Sequence, residues 1–144
     1  MEFNDCSSDG INDSSYVSVI HAPIARRRTY LDTVDGRVTR FYVQLEYNCQ
    51  TSPEVPDDWV AIALFDHQPE SEQGHDISNE GLHMDIRHPV EADRKTTDFP
   101  SVSVNQAPGF CENYFDQNYR SICHRFEKWR SGNPKKLLNL LSLP

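Results

Sequence analysis

Three pairs of histidine and aspartate lie close together in the middle of the chain and have residue types that can do chemistry. The pairs are Asp66-His67, His75-Asp76 and His83 with Asp85. An imidazole titrates near neutral pH, and a neighbouring carboxylate fixes which of its nitrogens carries the proton. The pairs therefore suit general acid–base catalysis. We predict a catalytic site in which His83 is the principal base, Asp85 orients it and His67 contributes.

The same histidine-rich segment could instead bind a metal ion. Imidazole nitrogens and carboxylate oxygens are ligands of Zn, Mn, Fe and Ni, often with a carboxylate on the second nitrogen of each histidine. The spacing matches no fixed metal signature, so it identifies no particular ion. The metal ligands that this interpretation predicts are His67, His75, Asp76 and His83.

A structural interpretation stays open beside these two. In it, His67 and His75 only cap turns, while His83 and Asp85 are solvated residues of a strand. Convergence of the three histidines around a concave pocket would favour the chemical interpretations. Histidines that splay apart would favour the structural one.

The chain is acidic, and its charge is unevenly distributed. The formal net charge is −8, and residues 64–98 alone carry nine acidic and three basic residues, a balance of −6 (3 − 9). Such a field attracts cations and repels phosphates, which excludes a surface that binds nucleic acid throughout. Two basic stretches remain candidates for RNA contact, although such clusters are also common on solvated strands and near helix C-termini. The candidates are Arg26, Arg27, Arg28, Arg125 and Lys128.

Several well-known enzyme signatures are absent from the sequence. It contains no phosphate-cradling glycine loop, no dinucleotide fingerprint, no G-x-S-x-G and no H-E-x-x-H. The enzyme classes that depend on those motifs are therefore unsupported.

Apolar alternation predicts the strands that must position these residues. The predicted strands are residues 15–20, 26–34, 37–47, 59–65 and 82–88. Asp35-Gly36 is the dipeptide of a type I′ turn, so it predicts a hairpin between the second and third strands. Residues 66–81 form a long acidic loop, and loops of this length are usually functional or disordered.

A long helix is predicted for residues 106–130, where apolar side chains recur every three or four positions. Asn105 is expected to cap its start. The predicted fold is α+β, with an antiparallel sheet of four or five strands covered on one face by one long C-terminal helix. The predicted core contains Phe41, Val43, Leu45, Ile62, Leu64, Met84, Ile86, Phe115, Ile122, Phe126 and Trp129.

At 144 residues the chain fits one domain. We predict a flexible polar N-terminus at 1–14, a single α+β domain at 15–132 and a leucine-rich tail at 133–144 that docks on the domain or binds a partner. The four cysteines are scattered, and neither a signal peptide nor a membrane-spanning run is evident. These features predict a cytoplasmic protein with no membrane association.

Four dispersed blocks carry a resemblance to known proteins. They are FDH at 65–67, GHDI at 74–77, EGLHMD at 80–85 and RFEKW at 125–129. This pattern resembles an uncharacterised family of small haloarchaeal proteins over residues 37–131, and the excess of Asp over Glu fits a salt-rich cytoplasm. The resemblance implies a lineage and an architecture. The order of elements and the histidines are also similar to TumE-type toxins of toxin–antitoxin pairs.

Two functional hypotheses follow. The first is a His/Asp site, with or without a metal ion, that acts on RNA as a toxin component. The second is a non-catalytic module that binds a partner protein through the acidic loop or the leucine-rich tail, with structural histidines.

Overall fold

An antiparallel sheet and one long helix form the fold, which a computed structural model describes for residues 11–72 and 74–131. The elements are β1 Ile11–His21, β2 Ala25–Val34, β3 Arg37–Asn48, β4 Trp59–His67, α1 Ile77–Glu80, β5 Met84–Ile86, β6 Arg94–Thr96 and α2 Ala107–Ser131. The strands are ordered β1 to β6 as in the sequence. The predicted α+β fold is confirmed, but the described sheet has six strands rather than four or five.

The differences in the sheet arise at its ends. β1 begins at Ile11, before the predicted residue 15, because residues 11–14 pair with the end of β2. β6 lies where the sequence shows only a polar connector, and it pairs with β5 over three residues. Backbone hydrogen bonds alone can hold so short an edge strand, so no apolar alternation marks it. β5 is shorter than the strand predicted at 82–88.

The β2–β3 hairpin is confirmed. Asp35 and Gly36 both have positive φ angles, 51° and 78°, as a type I′ turn requires. The turn fixes the pairing register, which places alternate residues of β3 on one face of the sheet. Phe41, Val43 and Leu45 are fully buried there.

The helix α2 packs on that face and completes the core. Phe115, Ile122 and Phe126 of α2 are buried in the same cluster, and Trp129 packs against it partly buried. Leu64 is a correction, because it lies outside this core. It pairs with Gln44 and Asp85 on the opposite side of the sheet, where it is only half-buried.

We call the side of the sheet turned away from α2 the distal face. Its residues include Arg26, Arg28, Tyr30, Gln44, Glu46, Leu64, Asp66 and Asp85. The distal face is polar where the other face is apolar, so one alternating pattern separates the hydrophobic core from the groups capable of chemistry.

The start of α2 differs from the prediction. The Ser103 carbonyl accepts from the Ala107 N–H at 2.9 Å, and the Ser103 hydroxyl accepts from the Gln106 N–H at 3.3 Å. The predicted cap, Asn105, instead accepts from the Val38 N–H at 2.8 Å and so ties the loop to β3. The predicted tail at 133–144, like residues 1–10, lies outside the described residues. In the described ranges, no helix has the length and apolar character needed to cross a bilayer.

Candidate active site

Two aspartates and two histidines converge on the distal face at the ends of β4 and β5. His75 Nε2 lies 3.2 Å from Asp85 Oδ2 and 3.7 Å from Asp66 Oδ1. The His75 and His83 rings meet edge to face with their centroids 3.6 Å apart. We call these four residues, Asp66, His75, His83 and Asp85, the His/Asp cluster.

The β4–β5 register supplies three members of the cluster. Asp85 pairs with Leu64, and Asp66 lies two positions further along β4, so both carboxylates share the distal face. His83 stands two residues before Asp85 and therefore lies on the same side of the chain. Extending the register by one pair places His83 opposite Asp66.

The loop between β4 and α1 brings the fourth member, His75, back to the strands. The Gln68 N–H donates to the His75 carbonyl at 2.7 Å and closes the loop. A Cβ at Gly74 would lie 2.5 Å from Gln68 Cβ and 2.6 Å from the Gln68 carbonyl oxygen, so only glycine fits. This close approach fixes the position of His75.

The short helix α1 holds the far end of the loop. Asp76 caps it, because the Asp76 carboxylate accepts from the Ser78 N–H at 3.0 Å. The Asp76 N–H donates in turn to the Glu80 carboxylate at 2.8 Å. Asp76, predicted as a metal ligand, is thus engaged in local structure outside the cluster.

Burial shapes the electrostatics of the cluster. Asp66 and His83 are each 5% exposed, and neither Asp66 Oδ1 nor His83 Nε2 has a hydrogen-bond partner among the described residues. Burial raises the pKa of Asp66, against the opposing effect of His75 and of a hydrogen bond from Gln68. Burial also lowers the pKa of His83, and the neighbouring His75 acts in the same direction.

His67 is not brought into the cluster. It follows Asp66 directly on β4, so its side chain points to the opposite face, where its ring stacks on Phe41 at 6.1 Å. His67 Nδ1 accepts from the Ile77 N–H at 3.1 Å, which assigns its proton to Nε2. Burial lowers the pKa of His67. This histidine anchors α1 to the sheet.

The arginines of the first basic stretch are held in ion pairs. Arg26 and Arg28 both donate to Glu46, at 2.6 Å and 3.0 Å. Arg27 points to the other face, where it pairs with Glu112 and Asp116 of α2.

The second basic stretch belongs to α2 and therefore lies across the sheet from the cluster. The Arg125 guanidinium lies 5.6 Å from the centroid of the Trp129 ring, and Lys128 is exposed. The structure does not bring these cations together with the His/Asp cluster.

A cleft of about 500 Å³ lies next to the cluster, although Asp66, His75, His83 and Asp85 are not among the residues that line it. Gln68 connects the two, because it lines the cleft and its side chain also donates to Asp66 Oδ2 at 2.8 Å. Arg40 also lines the cleft and pairs with Asp32 at 2.7 Å. A substrate in this cleft would lie beside Asp66.

Asp66 is the one cluster member missing from the predicted site. The sequence pairs it with His67, but adjacent residues on a strand face opposite ways, so only one of the two could join His83 and Asp85. The apolar Phe65 fixes the inward face of this strand end and places Asp66 outward. That signal was sufficient to choose Asp66 over His67.

The fold and the cluster define an α+β protein with a partly buried His/Asp cluster on one face of its sheet. The chain belongs to a domain family of unknown function, DUF7718, whose model matches residues 10–132. No curated protein and no solved structure gives a significant match.

Proposed function

We propose that the His/Asp cluster is the catalytic site of an enzyme that cleaves RNA. One observation carries the proposal: two imidazoles with ring centroids 3.6 Å apart are bracketed by two carboxylates on a sheet face beside a cleft. Burial of such groups is characteristic of catalytic sites, where it adjusts proton affinity. From the order of elements and the histidines, in which the sequence resembles TumE-type toxins, we further propose that the protein acts as the toxin of a toxin–antitoxin pair.

RNA is the substrate that needs least from such a site. Its 2′-hydroxyl is an internal nucleophile, so the protein need only remove one proton and deliver another. His83 would accept the 2′-hydroxyl proton as the oxygen attacks phosphorus. The bond to the 5′-oxygen then breaks, and protonated His75, oriented by Asp85, gives that oxygen a proton. The products are a 2′,3′-cyclic phosphate and a 5′-hydroxyl.

The basic residues that could bind the phosphate differ from those that the sequence suggests. Arg26 and Arg28 pair with Glu46. Arg40 pairs with Asp32 in the same way, but it also lies in the wall of the cleft. Lys95 pairs with Asp85 across β5 and β6 and so shares the distal face with the cluster. We assign the phosphate contacts of the proposed reaction to Arg40 and Lys95.

The test is cleavage of labelled single-stranded RNA and of DNA with the same sequence. Because the composition fits a salt-rich cytoplasm, reactions are run in dilute and in molar KCl. We expect cleavage of RNA alone and a loss of about 10²–10⁴-fold in His83→Ala, the usual contribution of a general base. His124→Ala, on α2, is the matched control. Intact RNA, equal cleavage of DNA or full activity in His83→Ala would reject the proposal.

A second candidate function, a protein-interaction module, is favoured by β1. This strand is 11 residues long, lies at the edge of the described sheet and exposes Val17 by 41% and Val19 by 67%. Long apolar edges pair readily with other chains. Co-purifying proteins lost from Val19→Lys but kept by Val90→Lys, a loop valine exposed by 85%, would support this function.

A further inference from the structure

The spacing of donor atoms in the His/Asp cluster matches the first coordination shell of a metal ion. Two ligands bound about 2.1 Å from one ion at a tetrahedral angle lie about 3.4 Å from each other. His75 Nε2 lies 3.2 Å from Asp85 Oδ2 and 3.7 Å from Asp66 Oδ1. One donor atom from each of these three residues lies within 4.8 Å of the other two. A single ion can therefore contact all three without rearrangement of the backbone.

A second observation is independent of these distances. His75 Nε2 carries at most one proton, so it can donate to only one of the two carboxylates. Asp66 Oδ1 and His83 Nε2 are buried without a hydrogen-bond partner among the described residues, and each of the two residues is only 5% exposed. Leaving such groups unsatisfied costs about 1–3 kcal/mol each. A cation bound by Asp66, His75 and Asp85 would satisfy Asp66 Oδ1.

Oδ1 is the oxygen of Asp66 that is left to bind an ion, and it is also the one directed at His75. Gln68 donates to Asp66 Oδ2 at 2.8 Å, which orients the carboxylate and leaves Oδ1 directed at His75. Supporting hydrogen bonds of this kind are typical of carboxylates that coordinate metals.

We propose that Asp66, His75 and Asp85 bind one divalent transition-metal ion. The mixed imidazole and carboxylate set favours Mn²⁺, Fe²⁺ or Zn²⁺ over Mg²⁺ and Ca²⁺, which prefer oxygen ligands alone. No cysteine contributes to the set, so it does not favour copper(I). The ligands differ from those predicted from sequence: Asp66 and Asp85 take the place of His67, Asp76 and His83, and His75 is common to both sets.

The inference deepens the proposed function, because it rests on the same cluster and names a cofactor for it. With the ion bound, His75 would be a ligand, and a water on the ion would replace protonated His75 as the source of the proton for the 5′-oxygen. Two carboxylates would repel a phosphodiester, and a bound cation removes that repulsion. A bound ion would supply the positive charge, and the protein's own contribution would be to hold it beside His83.

The experiment measures metal binding alone, without RNA. Protein stripped with a chelator is titrated with Zn²⁺, Mn²⁺, Mg²⁺ and Ca²⁺ in a calorimeter, and bound metal is counted by elemental mass spectrometry. We expect one Zn²⁺ or Mn²⁺ per chain, and at least about 100-fold weaker binding in Asp66→Asn and His75→Ala. Asp76→Asn, which alters a carboxylate of the same loop outside the cluster, should bind normally.

The outcomes separate this inference from the proposed function. Metal bound with RNA left intact would support the site and reject the reaction. RNA cleaved equally by chelated protein would support the reaction and reject the ion as its cofactor, and the titration would then decide whether the site binds metal. A wild-type chain that binds no transition metal, or an Asp66→Asn chain that binds it unchanged, would overturn the inference. Circular dichroism of each variant confirms that a lost site is not a lost fold.

Discussion

The substitution Asp66→Asn should have opposite effects on stability with and without metal. In the metal-free protein, Asp66 Oδ1 is a buried acceptor that lacks a partner among the described residues. Asparagine keeps the oxygen that accepts from Gln68 and replaces the negatively charged Oδ1, which lacks a partner among the described residues, with part of a neutral amide. Because an unsatisfied buried group costs about 1–3 kcal/mol, we expect the variant to be about 1 kcal/mol more stable.

Metal should reverse that order. A ligand at 100 times its dissociation constant stabilises the folded state by about 2.7 kcal/mol, and only the chain that binds it gains this energy. The wild type should therefore exceed Asp66→Asn by about 1.7 kcal/mol under saturating Zn²⁺ or Mn²⁺, the difference between those two magnitudes.

Urea unfolding followed by tryptophan fluorescence measures both conditions on the same samples. The midpoints of the wild type and Asp66→Asn should exchange order between chelator and metal, with unchanged slopes. Asn79→Ala, in α1, is a control that should keep its rank in both conditions. A variant that is less stable than the wild type even in chelator would show that the Asp66 carboxylate is satisfied, and the reasoning would fail.

Three further substitutions test the scaffold. Gly74→Ala should destabilise the fold by about 1–3 kcal/mol, because the new Cβ would lie 2.5 Å from the Cβ of Gln68. Gly109→Ala should instead stabilise the fold, because a Cβ at this position of α2 would contact nothing within 4 Å. Thermal denaturation compares the two variants. Burial raises the pKa of Glu46, but hydrogen bonds from the arginines outweigh burial, so the pKa of Glu46 is lower in the folded chain than in the unfolded one. The stability that Glu46 contributes is therefore present above its unfolded pKa and is lost as the pH falls through its folded pKa. Glu46→Gln should flatten the dependence of the urea midpoint on pH below about pH 5. Glu127→Ala should cost about 2–4 kcal/mol in urea, because it leaves the buried Tyr47 hydroxyl, 2.9 Å from Glu127, without its acceptor; an unchanged midpoint would contradict this.

Local patterns were sufficient for most of the fold. Asp35-Gly36 determines its own turn, because both residues must adopt positive φ, and the turn then sets which residues of β3 face the core. The spacing of Phe115, Ile122 and Phe126 likewise makes one side of α2 apolar wherever the helix lies. These inferences use neighbours in sequence and need no knowledge of distant pairing.

The elements that depend on distant partners were harder to predict. β6 has no apolar pattern of its own and forms only because β5 offers backbone partners. Asn105 resembles a helix cap, but its side chain instead accepts a hydrogen bond from the N–H of Val38, which is distant in sequence. In both cases a contact between distant segments outweighed a local preference, which no reading of neighbouring residues could reveal.

The dipeptide Asp66-His67 shows that the site depends both on the local strand pattern and on contacts between distant segments. Asp66 and His67 look equivalent in sequence, yet the alternation of β4 sends the carboxylate to the His/Asp cluster and the imidazole to the opposite face. There His67 accepts from the N–H of Ile77 and so holds the helix that follows His75. One residue of the pair is therefore placed to act in chemistry, and the next fixes the loop that delivers the other histidine. A one-residue slip of β4 would disrupt both roles together, so the strand register itself determines whether the site exists.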